Sequence, residues 1–179
     1  MHMIRVLTPL AALALLAAGC RPAPSSTSTP KSASATEQLS TEVAAVFSAT
    51  PALADPTPIP EARTKVKPGD TVLLEGKIMG VKTPFVEGRS AFVLGDAGTL
   101  TPCGCSCKTP WDLCCSPHEA RLAGTATIQI TDASGVVLRS GLRGVRGLRE
   151  LSQVRVEGVV AEGSTADTLI VNARGIEVQ

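Results

Sequence analysis

The sequence predicts an all-β domain, a closed barrel of five strands with one short helix. After residue 61 the chain contains short segments in which apolar and polar residues alternate, the pattern of half-buried strands. Glycines lie inside those segments, where a small barrel must bend its strands. The chain has three Phe, one Trp and no Tyr, so its core must be mainly aliphatic.

The predicted elements follow one another between turn signals. The turn at Pro68-Gly69-Asp70 precedes the first strand, and the turn at Asp132 to Gly135 follows the third. Leu142, Val145, Leu148 and Leu151 recur every third residue, which predicts a short helix over residues 142–151, although the glycines between them weaken it. The strands are predicted at residues 71–79, 90–95 and 123–131 before this helix, and at 154–160 and from 168 after it.

This order resembles the OB-fold, a five-stranded Greek-key barrel with a helix between its third and fourth strands. The resemblance covers residues 67–179. It rests on the segments Gly69–Val72, Ala91–Asp96, Val154–Gly158 and Leu169–Val171. It implies a closed barrel, which removes exposed strand edges. A β-sandwich is the alternative fold.

The start of the chain predicts a secreted and lipidated protein. After Arg5 comes an apolar run over residues 7–18 that is too short to span a bilayer. The run ends in Leu16–Cys20 (LAAGC), which resembles a bacterial lipobox. The resemblance implies a signal peptide over residues 1–19 and a lipid on Cys20 that anchors the protein to a membrane of the cell envelope. An ordinary signal peptide is the alternative.

The remaining organisation is a tether followed by the barrel domain. Residues 20–61 are rich in Pro, Ser, Thr and Ala and are predicted to be flexible, and the domain is placed at residues 62–179. Within the tether, Leu39, Val43 and Val46 have helical spacing. Residues 36–47 are therefore either a transient helix or one docked on the domain.

Two motifs resemble a family of lipoproteins from planctomycete bacteria. They are the PFVEGR motif at residues 84–89 and the TPWDxCC motif at residues 109–115. The resemblance implies an envelope location and a barrel fold, and it implies no reaction. Within the second motif, Trp111 is expected to pack beneath the loop and Asp112 to turn or cap the chain.

A loop between the second and third predicted strands concentrates cysteines. Outside the cytoplasm neighbouring thiols oxidise, so we expect disulfides to staple this loop, with one cysteine left over. No cofactor is expected on that interpretation. The alternative is a Zn or Cu site with His118 as an extra ligand, because clustered thiolates suit soft ions. A redox-active disulfide is a third interpretation. The five cysteines are Cys103, Cys105, Cys107, Cys114 and Cys115.

Charge and motifs limit the function classes. Of 17 Lys and Arg, Arg5 falls in the signal, which leaves 16 against 16 Asp and Glu. This neutrality and the scarcity of stacking aromatics argue against a nucleic-acid partner. No catalytic motif occurs, so we expect a binding or structural module and not an enzyme. A local positive patch is either a solvated face or a surface for an envelope protein or cell-wall polymer; it comprises Arg139, Arg143, Arg146, Arg149 and Arg155.

Overall fold

Five strands form a closed barrel in the computed structural model, which describes residues 40–104 and 108–179. The neighbour order is β1-β2-β3-β5-β4, and β4 closes the barrel by pairing with β1. The β3–β5 pair is parallel, and the other four pairs are antiparallel. The predicted OB-like five-stranded barrel is confirmed. The strands are β1 (Thr71–Ile78), β2 (Ala91–Gly95), β3 (Thr125–Gln129), β4 (Gln153–Val160) and β5 (Leu169–Val178).

The barrel interior is filled by one face of each strand. Along β4 every second residue is buried, and Val154 and Val156 are fully enclosed. Phe92 of β2 and Ile128 of β3 are opposite each other in the ladder and are also fully enclosed. The alternation that predicted these strands thus reflects a wall with an apolar inside and a wet outside.

Glycines lie where two strands approach most closely. The backbone register shifts between Glu157 and Gly158, and a Cβ on Gly158 would overlap the Asn172 carbonyl of β5. A Cβ on Gly76 would lie 2.5 Å from the Gly95 carbonyl oxygen of β2. Both positions fit the expectation that glycines allow a small barrel to bend.

Two short helices before β1 pack on the barrel. They are α1 (Thr41–Ser48) and α2 (Ile59–Lys65). Val43 of α1 and Ile59 of α2 belong to the main apolar core and are fully buried. The segment between the helices is also held, because the Glu157 carboxylate accepts both the Ala52 and the Leu53 N–H at 2.7 Å.

Packing on the barrel therefore starts before residue 62, the predicted beginning of the domain. In the described part of residues 36–47, the helix is docked on the domain, since the apolar face of α1 packs on β5. The predicted signal peptide and the tether up to residue 39 lie outside the described residues. In the described ranges, no helix is long and apolar enough to cross a bilayer.

The helix predicted over residues 142–151 is wrong. This stretch contains a single 3-10 turn, Val145–Gly147, and the α-helix of this half of the chain is α3 (His118–Gly124), between β2 and β3. Gly144 and Gly147 adopt φ values of 86° and 85°, which an α-helix does not permit. Leu142 and Leu148 are nevertheless buried. The apolar spacing identified core residues but not their backbone conformation.

Candidate functional site

Three cysteine sulfurs converge in the loop between β2 and α3. The Sγ atoms of Cys103, Cys114 and Cys115, hereafter the thiol cluster, all lie within 4.8 Å of one another. The Cys103–Cys115 separation is 3.0 Å and the Cys114–Cys115 separation is 3.7 Å. Cys103 is buried and the other two are exposed. The predicted ligands Cys105 and Cys107 lie outside the described residues.

These separations exceed the length of a disulfide. A sulfur–sulfur bond measures about 2.05 Å, so no disulfide joins Cys115 to Cys103 or to Cys114 in this structure. Two thiolates on one zinc ion, each at about 2.3 Å in a tetrahedral site, lie about 3.8 Å apart. The Cys114–Cys115 separation already matches that value. Cys103 and Cys115 would have to move apart by under 1 Å, roughly, to share the same ion.

The loop is anchored to the chain that follows β1. The Gly80 N–H donates to the Trp111 carbonyl at 3.2 Å, and the Leu113 N–H donates to the Gly80 carbonyl at 3.3 Å. The Trp111 indole N–H donates to the Lys82 carbonyl at 2.8 Å. The backbone around Cys114 is thereby fixed relative to the end of β1.

A second apolar cluster supports the same loop. Leu113, directly before Cys114, is 1% exposed and packs with Met79 and Leu100. Trp111 is partly buried and packs against this cluster. Burying a leucine side chain contributes about 2 kcal/mol, so the position of the neighbouring cysteines is set by core packing as well as by hydrogen bonds.

Asp112 connects the two ends of the loop. Its carbonyl accepts the Cys103 N–H at 3.0 Å, and its carboxylate Oδ1 accepts the Cys114 N–H at 2.8 Å. The second bond is the local turn expected for this aspartate. The link to Cys103 and the pairing with Gly80 are nonlocal, and no sequence signal indicated them.

His118 takes a different position from the predicted one. Among the described residues, the group of converging ligand atoms contains the three sulfurs and not His118. His118 is the first residue of α3 and lines a cavity of about 390 Å³ with Val93, Arg121 and Leu122. In this geometry it is part of a neighbouring, mainly apolar surface.

The five arginines of the predicted patch fall into two groups with different surroundings. Arg139, Arg143, Arg146 and Arg149 are exposed, and Arg143 forms an ion pair with Glu150. Arg155 instead lies on β4, with Glu75 at 3.7 Å and Glu177 at 3.9 Å. It also donates to the Ala54 carbonyl at 2.8 Å. Arg155 therefore has a structural role in holding the segment before α2.

Among the cations that the structure describes, Arg63 has a pKa that its environment shifts. Burial lowers its pKa from the ordinary value, and the nearby Asp167 carboxylate partly opposes this effect. Its guanidinium donates to the Thr125 and Ala166 carbonyls, so α2 is fastened to the start of β3. These contacts give Arg63 a structural role.

Comparison with known proteins gives no match: no protein-family model, curated sequence or solved structure is significantly similar to the chain. The lipobox and the resemblance to planctomycete lipoproteins therefore stay predictions. Functional inference rests on the thiol cluster and its surroundings.

Proposed function

We propose that this protein is a lipid-anchored module of the cell envelope whose barrel carries a binding site for a soft metal ion. The observation that carries this proposal is the convergence of Cys103 with Cys114 and Cys115 within 4.8 Å. Thiolates are the ligands that Zn(II) and Cu(I) favour. The envelope location is supported by the apolar run that ends in LAAGC at Cys20.

The surroundings of the thiol cluster suit ion capture. Cys114 and Cys115 are exposed, so an ion can reach them, while Cys103 is buried behind them. The loop is fixed by the Trp111–Lys82 and Leu113–Gly80 hydrogen bonds, which reduces the conformational entropy lost when the ligands gather around an ion. Cys105 and Cys107, in the same loop, are candidates for further sulfur ligands.

A disulfide-stapled structural loop is the competing function. The same five cysteines in an oxidising compartment could be joined in pairs, and the barrel would then bind its partner elsewhere. The two functions differ in what protects the thiols. A metal ion is removed by a chelator, whereas a disulfide is removed by a reductant.

Titration of the reduced, metal-free full chain with Co(II) and Zn(II) tests the proposal. We expect about one ion per chain and a sulfur-to-cobalt charge-transfer band, both lost in a Cys114→Ser/Cys115→Ser variant. His118→Ala serves as the matched control and should keep the band, because His118 is not in the converging group. Failure of the reduced wild-type chain to bind either ion would overturn the proposal.

A further inference from the structure

Asp112 is the residue at which the two cysteine-bearing arms of the loop meet. The first arm carries Cys103, whose N–H is accepted by the Asp112 carbonyl at 3.0 Å. The second arm carries Cys114 and Cys115, and the Cys114 N–H is accepted by the Asp112 carboxylate at 2.8 Å. One residue thus bonds to the backbone of two of the three cysteines in the thiol cluster.

The setting of Asp112 fixes its backbone. Asp112 is only 9% exposed, and it pairs with Gly80 in a parallel bridge just after β1. Its own N–H donates to the Thr109 carbonyl at 3.0 Å. On either side, Trp111 and Leu113 exchange hydrogen bonds with Gly80. The backbone of Asp112 is therefore held in place by its neighbours, and its carboxylate reaches from this fixed backbone to the Cys114 N–H.

We infer that Asp112 is a positioning residue for the thiol cluster, acting through its carboxylate on the backbone of Cys114. Without that hydrogen bond the turn from Asp112 to Cys114 loses its constraint, while the backbone bond to Cys103 remains. Leu113 would keep its packing and its bond to Gly80, but Cys114 and Cys115, which follow it, would be less tightly positioned relative to Cys103. This inference rests on the proposed function only for its metal readout, since the convergence itself can be measured without metal.

Three substitutions separate the hydrogen bond from other effects. Asp112→Ala removes the acceptor, and Asp112→Asn keeps an oxygen that can accept the same N–H. Asp132→Ala is the matched control, because the Asp132 carboxylate accepts the Ser134 N–H at 2.8 Å in a similar turn of the β3–β4 connection. Urea unfolding of the metal-free proteins establishes that each variant folds.

The first readout is the affinity of the full chain for Zn(II), measured by competition with a chromophoric chelator, with the Co(II) charge-transfer spectrum alongside. Changes in groups that orient metal ligands typically weaken binding 10- to 100-fold. We expect a loss of about that size in Asp112→Ala, with an altered Co(II) spectrum. Asp112→Asn and Asp132→Ala should bind like the wild type.

The second readout is the rate at which a short bifunctional thiol reagent, dibromobimane, bridges Cys103 to Cys114 or Cys115. It uses full-length reduced protein with Cys105→Ser and Cys107→Ser. Lys108 is the only tryptic site between the two arms, so bridged peptides stay joined after digestion and are counted by mass. We expect Asp112→Ala to slow bridging by about 10-fold or more, since small displacements of reacting groups have large effects on rate.

The outcomes distinguish this inference from the proposed function. If Asp112→Ala bridges at the wild-type rate, the positioning role is refuted, whatever the metal result. If Asp112→Asn is as impaired as Asp112→Ala, the hydrogen bond is not the cause and the inference fails. If the wild type binds no metal but Asp112→Ala still slows bridging, the positioning role stands and the metal site is refuted.

Discussion

Individual aspartates hold the tight turns of this protein. Asp70 accepts the Lys67 N–H, Asp112 the Cys114 N–H, and Asp132 the Ser134 and Val136 N–H groups. Such turns are local in the chain, which is why Pro68-Gly69-Asp70 and Asp132 to Gly135 could be recognised from sequence. Asp96 also makes a bond that is distant in the chain, because its second carboxylate oxygen accepts the Ile59 N–H at the start of α2. That nonlocal bond had no sequence signal.

Asp96→Ala should destabilise the fold. Asp96 is 8% exposed, and its carboxylate accepts the N–H groups of Ile59, Gly98 and Thr99. Leaving the buried Ile59 N–H without an acceptor costs about 1–3 kcal/mol, so we expect the free energy of unfolding in urea to fall by about 2 kcal/mol. Asp70→Ala, at an exposed turn, is the control and should have a smaller effect. A wild-type midpoint for Asp96→Ala would contradict this account.

Asp132 should titrate below the ordinary range of aspartate. The Ser134 hydroxyl hydrogen bond lowers its pKa most, with the Val136 N–H next. Because the folded pKa is depressed, the turn gains stability above the pKa of the unfolded chain and loses it as the pH falls through the folded pKa. NMR titration of the carboxyl carbon measures this directly. Ser134→Ala should raise the pKa, and an unchanged value would refute the assigned cause.

At the scale of elements, the strands were predictable, whereas among the α-helices only α1 had a sequence signal, the helical spacing in residues 36–47. The alternation in β4 and the glycine in β1 are local patterns. The first corresponds to a strand with one buried face, and the second to a position where two strands approach closely. The apolar spacing at Leu142 and Leu148 was correctly assigned to the core, but positive φ values at two glycines give a turn instead of a helix. The helical spacing alone did not show whether α1 docks on the domain. Its contacts with β5 show that it does, and such nonlocal contacts cannot be read from a local sequence pattern.

Gly76→Ala should disturb the β1–β2 contact. A Cβ at this position would lie 2.5 Å from the Gly95 carbonyl oxygen, so the strands must separate. Overpacking of this kind costs about 1–3 kcal/mol, which chemical denaturation can measure. Gly141→Ala is the matched control, because nothing lies within 4 Å of its Cβ position. Equal stability of the two variants would show that the close approach does not constrain the barrel.

At the scale of the whole molecule, contacts with the barrel position the loop that carries the thiol cluster. β2 leads through Leu100 to Cys103, and Gly80, which follows β1, pairs with the backbone just before Cys114, so two neighbouring strands help to position the thiol cluster. The closed barrel was predictable because the sequence of five strands resembles the OB-fold, and that resemblance implies closure. The convergence of the cysteines was not, since clustering along a chain does not determine which side chains meet in space.

Cys20→Ser should detach the protein from the membrane. The lipobox prediction places a lipid on this residue, which lies outside the described part of the chain. We expect the wild type to partition with the membrane fraction and to carry an acyl mass. The variant should lack that mass and fail to mature normally. A Cys20→Ser protein that matured normally and stayed membrane-bound would contradict the anchor.

The most direct test of the proposed metal site is a combined metal and thiol count on protein purified from its native compartment without reductant. Metal is measured on one portion, and cysteines are alkylated on others before and after chelator or reductant. We predict Zn or Cu near one ion per chain and thiols that a chelator releases for alkylation. Cysteines released only by reductant, without bound metal, would contradict the metal site and establish the stapled loop instead.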